Sequence, residues 1–321
     1  MARLMNSLIV PVYKNAESVP ALIATLQALG ERVADLEVVF VVDGSPDASA
    51  ALLAGLLPTS GLRAQLLTLS RNFGSFAAIR TGLEAAQGER FAVMAADLQE
   101  PPELAATFFE VLAAEPVDIV IGTRESRSDP WASRIASRTF WKLYRRFVVP
   151  EMPEDGVDMF GCNRAFRDQL LRLDESHSSL VSLLFWMGFR RKFVSYARLP
   201  RLHGRSAWTL ARKYAYLKDA VFSFTDAPIK LLTWTGTLGI LFSFFLGITV
   251  LWGRLSGWVN VPGYSATVLT IIFFGALNLL GLGIVGTYAW RTYENTKRRP
   301  TALVLSKSTY PMNGSSDPAQ P

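Results

Sequence analysis

Two apolar runs near the carboxyl end, Leu231 to Trp252 and Ala266 to Trp290, contain no Asp, Glu, Lys or Arg. Each exceeds the ~20 residues that a helix needs to cross a bilayer. The alternative is a buried hairpin of a soluble protein, and the absence of any charge weighs against it. Trp234, Trp252, Trp290 and Tyr293 supply aromatics for the membrane–water interfaces. The connection from Gly253 to Ser265 carries only Arg254, whereas Lys230 precedes the first run and Arg291, Lys297, Arg298 and Arg299 follow the second. This bias predicts that both ends face the cytosol. Gly281, Gly283 and Gly286 offer a close-packing face, within the pair or between the subunits of a homo-oligomer.

The runs divide the chain into a domain over 1–228, a two-helix hairpin over 229–292 and a tail over 293–321. They also explain why 50% of the 321 residues are hydrophobic. The net charge of +6 and pI near 9.5 suit a phosphate-rich ligand or an anionic membrane surface and choose neither. No nucleic-acid partner is expected. Cys162 is the single cysteine, which excludes an internal disulfide and a multi-thiolate zinc site. Met1 to Ser7 runs straight into a strand, so no secretory leader is expected. The tail after Leu305 is rich in Ser, Pro and Asn, which predicts disorder.

Over the first domain, apolar strands alternate with helical patterns. Leu8–Val12, Leu36–Val42, Leu66–Leu69, Phe91–Ala96 and Val117–Ile121 read as strands. Val19–Leu29, Ser49–Leu57 and Ser75–Ala86 read as helices. This spacing predicts βαβ units and an α/β fold with a mostly parallel sheet. Successive strands end in polar clusters, as a crevice for a sugar or nucleotide requires. Neither GxGxxG nor GxxxxGK[ST] is present, which speaks against dinucleotide and P-loop chemistry.

The fourth strand ends in Asp97-Leu98-Gln99-Glu100-Pro101-Pro102-Glu103. Asp97 and Gln99 place two oxygen ligands over the sheet edge, and hard cations such as Mg²⁺ or Mn²⁺ take oxygen ligands and share their shell with substrate phosphates. Asp97 can equally cap the helix that opens at Pro101-Pro102. Asp158 lies among Glu151, Glu154 and Asp155, where an acid is ordinarily solvated. Arg201-Leu202-His203-Gly204-Arg205-Ser206 sets two guanidiniums around a glycine, which lets the backbone approach a pyrophosphate. Its alternative is a solvated basic loop.

Pro11-Val12-Tyr13, Val42-Asp43-Gly44-Ser45-Pro46-Asp47, Arg71-Asn72-Phe73-Gly74 and the Asp97–Glu103 segment, in that order, resemble family 2 glycosyltransferases with a GT-A fold. More narrowly they resemble the polyprenyl-phosphate glycosyltransferases, the branch that includes dolichol-phosphate mannose synthase and bacterial undecaprenyl-phosphate sugar transferases. The resemblance runs from Leu8 to Arg299. It implies a Rossmann-like GT-A domain followed by two transmembrane helices. It also implies inverting transfer of a sugar from a nucleotide-diphosphate sugar to a polyprenyl phosphate. By the same resemblance, Pro11, Tyr13, Asp43, Ser45 and Asn72 line the donor site, with Asp43 reading the base or ribose. Asp97 and Gln99 hold Mg²⁺ or Mn²⁺, Asp97 and Asp158 serve the reacting centre, and Arg201, Arg205 and Ser206 clamp the diphosphate.

The chain departs from the family pattern at Ala95 and Val42, where acids are usual, at Phe160, where an arginine is usual, and at Lys14-Asn15, where an acid is usual. Two other readings stay open. One is a processive or protein-directed membrane glycosyltransferase; only two spans and no Gln-x-x-Arg-Trp segment speak against it. The other is a non-catalytic sugar-nucleotide-binding or lipid-handling partner, in keeping with Ala95 and Phe160. Residues 131–148 and 207–225 carry basic and aromatic side chains along apolar stripes, which suits helices lying on an anionic membrane surface. The expected location is the inner membrane, spanned more than once, with the catalytic domain in the cytosol.

Overall fold

The computed structural model describes residues 5–124, 145, 151–153, 157, 159–173, 179–199, 221–222, 225, 227–256 and 263–311. The chain divides into two units, Met1–Lys213 with Arg299–Pro321, and Tyr214–Arg298.

In the first unit, β-branched and aromatic runs form strands and the amphipathic segments between them form helices. The order is β1 (Asn6–Val12), α1 (Val19–Arg32), β2 (Leu36–Val42), α2 (Ser49–Leu56), β3 (Arg63–Leu69), α3 (Ser75–Ala85), β4 (Arg90–Val93), α4 (Pro102–Ala114) and β5 (Ile119–Arg124). Then come β6 (Phe160–Asn163), α5 (Arg164–Arg172), α6 (Leu180–Trp186) and β7 (Arg191–Tyr196), and after the second unit β8 (Val304–Tyr310). The eight strands make one sheet in the order β7-β5-β6-β4-β1-β2-β3-β8. β1, β2, β3 and β4 run parallel, as do β5 and β7, while β6 and β8 are antiparallel to their neighbours.

Every residue of β2 is buried, as a strand covered on both faces must be. One face packs Leu8, Val10, Val38 and Phe40 against Leu22 and Leu26 of α1, Leu53 of α2 and Phe108 of α4. On the other face α3 comes close through Gly82, where a Cβ would stand 2.5 Å from Ile9 and 3.1 Å from Val41. This residue sets the depth at which α3 seats on the sheet.

The sequence-read elements up to β5 are all present, and two expectations need correction. β4 stops at Val93 rather than Ala96: the Met94 N–H still donates to the Ile9 carbonyl at 3.0 Å, and after it the chain leaves the sheet. The tail is the larger correction. Composition predicts disorder after Leu305, yet residues 304–310 form β8 against β3, with Ala64 opposite Tyr310 and Thr68 opposite Ser306. A polar, serine-rich segment can serve as an exposed edge strand, since ladder hydrogen bonds ask nothing of its outward side chains.

The second unit contains α7 (Ala227–Leu255) and α8 (Tyr264–Thr296). Both are long and apolar enough to cross a membrane. Their apolar side chains are largely exposed, Trp234 at 67% and Leu279 at 72% for example, which is not how a soluble core helix sits. Gly281 packs in the pair, a Cβ there standing 3.1 Å from Leu232, while Gly283 and Gly286 face open space.

Candidate functional site

β4 and β2 flank β1 on opposite sides, so the chain order reverses beside β1. Open α/β sheets bind ligands outside the carboxyl ends of the strands at such a reversal. The carboxyl ends of β4, β1, β2 and β3 lead directly into Asp97, Tyr13, Asp43 and Asn72, so the four sequence-read clusters meet at one sheet edge.

Two aspartates knit the loops of this edge together. Asp43, 2% exposed, accepts the backbone N–H of Phe73 at 2.7 Å and of Gly74 at 2.8 Å. Asp43 thereby ties the β3–α3 loop to the end of β2, and each carboxylate oxygen keeps a second acceptor site. Gly44 completes the contact. Its φ is +53°, and a Cβ would stand 2.2 Å from the Arg71 carbonyl carbon, so only glycine fits between the two loops.

Asp47 performs the same task between the loops after β1 and β2. It accepts the Ser45 hydroxyl at 2.6 Å, the Ala16 N–H at 3.0 Å and the Ser49 N–H at 3.2 Å. Burial pushes its pKa up, but hydrogen bonds from Ser45, Ser49 and Ala16 together outweigh burial and hold the carboxyl down at about 2. Ser45 also accepts the Lys14 N–H at 2.8 Å. Its hydroxyl therefore braces the Tyr13–Asn15 turn. Asp47 is absent from the sequence-read site residues; the turn-former density of Asp43 to Asp47 is its only signal.

Lys14 and Leu98, one just past β1 and one just past β4, both have positive φ, 57° and 54°. A non-glycine residue held so costs about 1–3 kcal/mol, and such strain clusters at functional loops. Pro11, Tyr13, Asp97 and Gln99 are half-buried and Asn72 is exposed, open to a ligand at this edge. Arg71 lies over the Phe73 ring at 4.0 Å, adding a cation to the same loop.

Asp97 accepts the Gln99 N–H at 3.3 Å, and the Gln99 side-chain oxygen accepts from Arg198 at 2.7 Å. Arg198 also lies 3.8 Å from the buried Glu100 carboxylate, and the Leu199 N–H donates to the Gln99 carbonyl at 2.8 Å. The chain after β7 is thus fastened to the Asp97–Glu100 loop two residues before Arg201. Among the described residues no three His, Cys, Asp or Glu side chains gather to hold a metal. One carboxylate and one amide oxygen suit a cation whose shell is finished by substrate phosphates, and do not suit a closed protein-only site. The donor set fits Mg²⁺ or Mn²⁺ on those terms. A guanidinium beside the Gln99 oxygen repels a second cation, which makes Asp97 the stronger candidate of the two.

Asp158, Arg201, Arg205 and Ser206 lie outside the described residues, as do the amphipathic stretches 131–148 and 207–225 apart from Arg145, Val221, Phe222 and Thr225. Their neighbours Met159 and Leu199 are in place: the Met159 carbonyl accepts the Gly122 N–H at 3.0 Å.

Residues 7–173 match the profile of the family described as Glycosyl transferase family 2. The chain is 31% identical over 300 residues to the uncharacterized glycosyltransferase sll0501 of Synechocystis sp., covering 93% of this chain and 94% of that one. It is 29% identical over 303 residues to the bactoprenol glucosyl transferase of Shigella phage SfX, covering 94% and 99%. Mannosyl-3-phosphoglycerate synthase from Rubrobacter xylanophilus superposes with a TM-score of 0.50 at 19% identity over 67% of this chain and 72% of that one, a likeness of fold.

Proposed function

The chain belongs to glycosyl transferase family 2, and from that premise we propose that it moves a sugar from a nucleotide-diphosphate donor onto the phosphate of a membrane polyprenol. The observation that carries this reading is the extent of the match. Similarity to a bactoprenol glucosyl transferase spans 94% of the chain, so it takes in both the loops at the sheet edge and the two membrane-length helices. Helices of that length suit a transferase whose acceptor is a membrane lipid.

The acceptor phosphate is already anionic, so its oxygen attacks the anomeric carbon without a strong general base. The bond to the nucleotide diphosphate breaks on the opposite face, and the anomeric configuration inverts. What remains for the protein is positioning and charge compensation. Pro11, Tyr13 and Asn72 line the donor's place at the sheet edge, on a frame fixed by Asp43, Gly44, Ser45 and Asp47. Asp158 belongs beside the acceptor phosphate, and Arg201, Arg205 and Ser206 belong on the diphosphate. Asp97, with Gln99, would hold Mg²⁺ or Mn²⁺, which when bound neutralises charge developing on the diphosphate. The location in this reading is the cytosolic face of the inner membrane with both termini in the cytosol, which the Lys and Arg flanking the two apolar runs support. A homo-oligomer, packed through Gly283 and Gly286, is part of the same reading.

The test is a screen of UDP- and GDP-sugars with undecaprenyl phosphate and a divalent cation, read as lipid-linked sugar. Formation of that product with one donor supports the reading. Transfer to a water-soluble acceptor or to protein instead would overturn it.

A further inference from the structure

The mechanism above makes no use of β8, the strand that follows α8 after a short connection. β8 pairs with β3 from Ala64–Tyr310 to Leu69–Val304, and the register shifts at Thr68 and Leu69. Thr68 faces Ser306 and Leu69 faces Val304, which leaves Leu305 as the extra residue of a bulge. Leu305 is 71% exposed, so the bulge does not exist to bury its side chain. Bulges recur beside active sites because they re-aim the chain. Beyond this one, the Ser70 N–H donates to the Leu303 carbonyl at 2.9 Å.

Ser70 is the first residue of the loop that carries Arg71 and Asn72 to the sheet edge. The loop's far end is held by Asp43 through the N–H groups of Phe73 and Gly74. Its near end is held by the carbonyl of Leu303. Two anchors thus bracket Arg71 and Asn72, one from β2 and one from the carboxyl-terminal tail.

We infer that β8 is a positioning element of the donor site: its pairing with β3 holds the Leu303 carbonyl on the Ser70 N–H and fixes the loop bearing Arg71 and Asn72. The inference rests on the proposed function for the identity of the ligand, a nucleoside-diphosphate sugar, but not for the geometry of the loop. Its consequence is that donor binding depends on a segment that follows the second apolar helix, far from the other donor-site residues in sequence.

The experiment compares the full membrane-extracted chain with a chain ending at Pro311 and a chain ending at Ala302. Hydrogen exchange over residues 70–74 is measured first and needs no ligand. It should quicken in the chain ending at Ala302 and stay unchanged in the chain ending at Pro311. Donor affinity is measured next, with the sugar nucleotide that wild type binds. It should weaken about tenfold in the chain ending at Ala302, the scale of one lost hydrogen bond and its ordering, with polyprenyl-phosphate KM unchanged. A peptide of residues 303–311 added to the chain ending at Ala302 should restore slow exchange, which separates loss of the anchor from general misfolding. Unchanged exchange over 70–74 in the chain ending at Ala302 would overturn the inference. If exchange responds but wild type binds no sugar nucleotide, the anchor stands and the proposed donor falls.

Discussion

Gly44 and Arg71 meet so closely that a Cβ on Gly44 would stand 2.2 Å from the Arg71 carbonyl carbon. The loops after β2 and β3 are therefore packed backbone to backbone, and Asp43 locks them with two N–H bonds. Gly44→Ala should cost at least about 2 kcal/mol, from a positive φ and a clash that neither backbone can relieve. It should also weaken donor binding, since the Arg71–Asn72 loop must move. Urea unfolding and donor titration of the variant check this; wild-type values for both would show that the loops are not packed this way.

The Asp47 carboxyl, held at about 2 against an ordinary 3.8, links stability to pH. A depressed carboxylate stabilises the fold fully above the unfolded value and loses that contribution as pH falls through the folded one. Wild type should therefore exceed Asp47→Asn in thermal stability by a constant margin above about pH 5. The margin should narrow between pH 3.8 and about 2. Asp118, lowered by Arg190 and by Asn163, adds loss of stability in the same direction in both proteins and cancels in the comparison. A margin that grows on acidification would contradict the role given to Asp47.

Period and composition made the parallel half of the sheet legible, because β1 to β4 are nearly continuous apolar runs with helices between them. They could not show β8, whose serines and lysine look like tail and become a strand only because β3 offers an edge. The four loop clusters were legible as a site because each follows a strand. Which residues face a ligand was not. Asp43 and Ser45 look like ligand contacts in sequence, and in the structure their oxygens also hold backbone N–H groups and Asp47. That bracing role had no signal in the local sequence, because the partner of Asp43 at Phe73 lies thirty residues away. The strained φ of Leu98 had no signal at all.

The exposed apolar faces of α7 and α8 predict that the chain sediments with membranes and resists extraction by alkaline carbonate. Recovery of the full-length protein in the soluble fraction would remove the basis for a lipid acceptor.

Asp97 would supply the single carboxylate of the proposed cation site, and the Gln99 oxygen also accepts from Arg198 at 2.7 Å. Mn²⁺ should therefore bind weakly to the protein alone and more tightly when UDP or GDP is present, as calorimetric titration will read. Asp97→Asn should nearly abolish transfer. Gln99→Ala should impair it less, because water can replace a neutral ligand. Tight cation binding without nucleotide, or an active Asp97→Asn protein, would assign the ligands elsewhere.

Sugar transfer to a polyprenyl phosphate is read most plainly by partition of label. The purified full chain is incubated with Mn²⁺, undecaprenyl phosphate and labelled UDP- or GDP-sugars, and label is followed into the organic phase. Transfer to the lipid predicts label in a lipid phosphate-linked sugar with one donor, absent when undecaprenyl phosphate is omitted. A chain that binds the donor yet leaves all label in water, or delivers it to an acceptor other than the lipid, would contradict it.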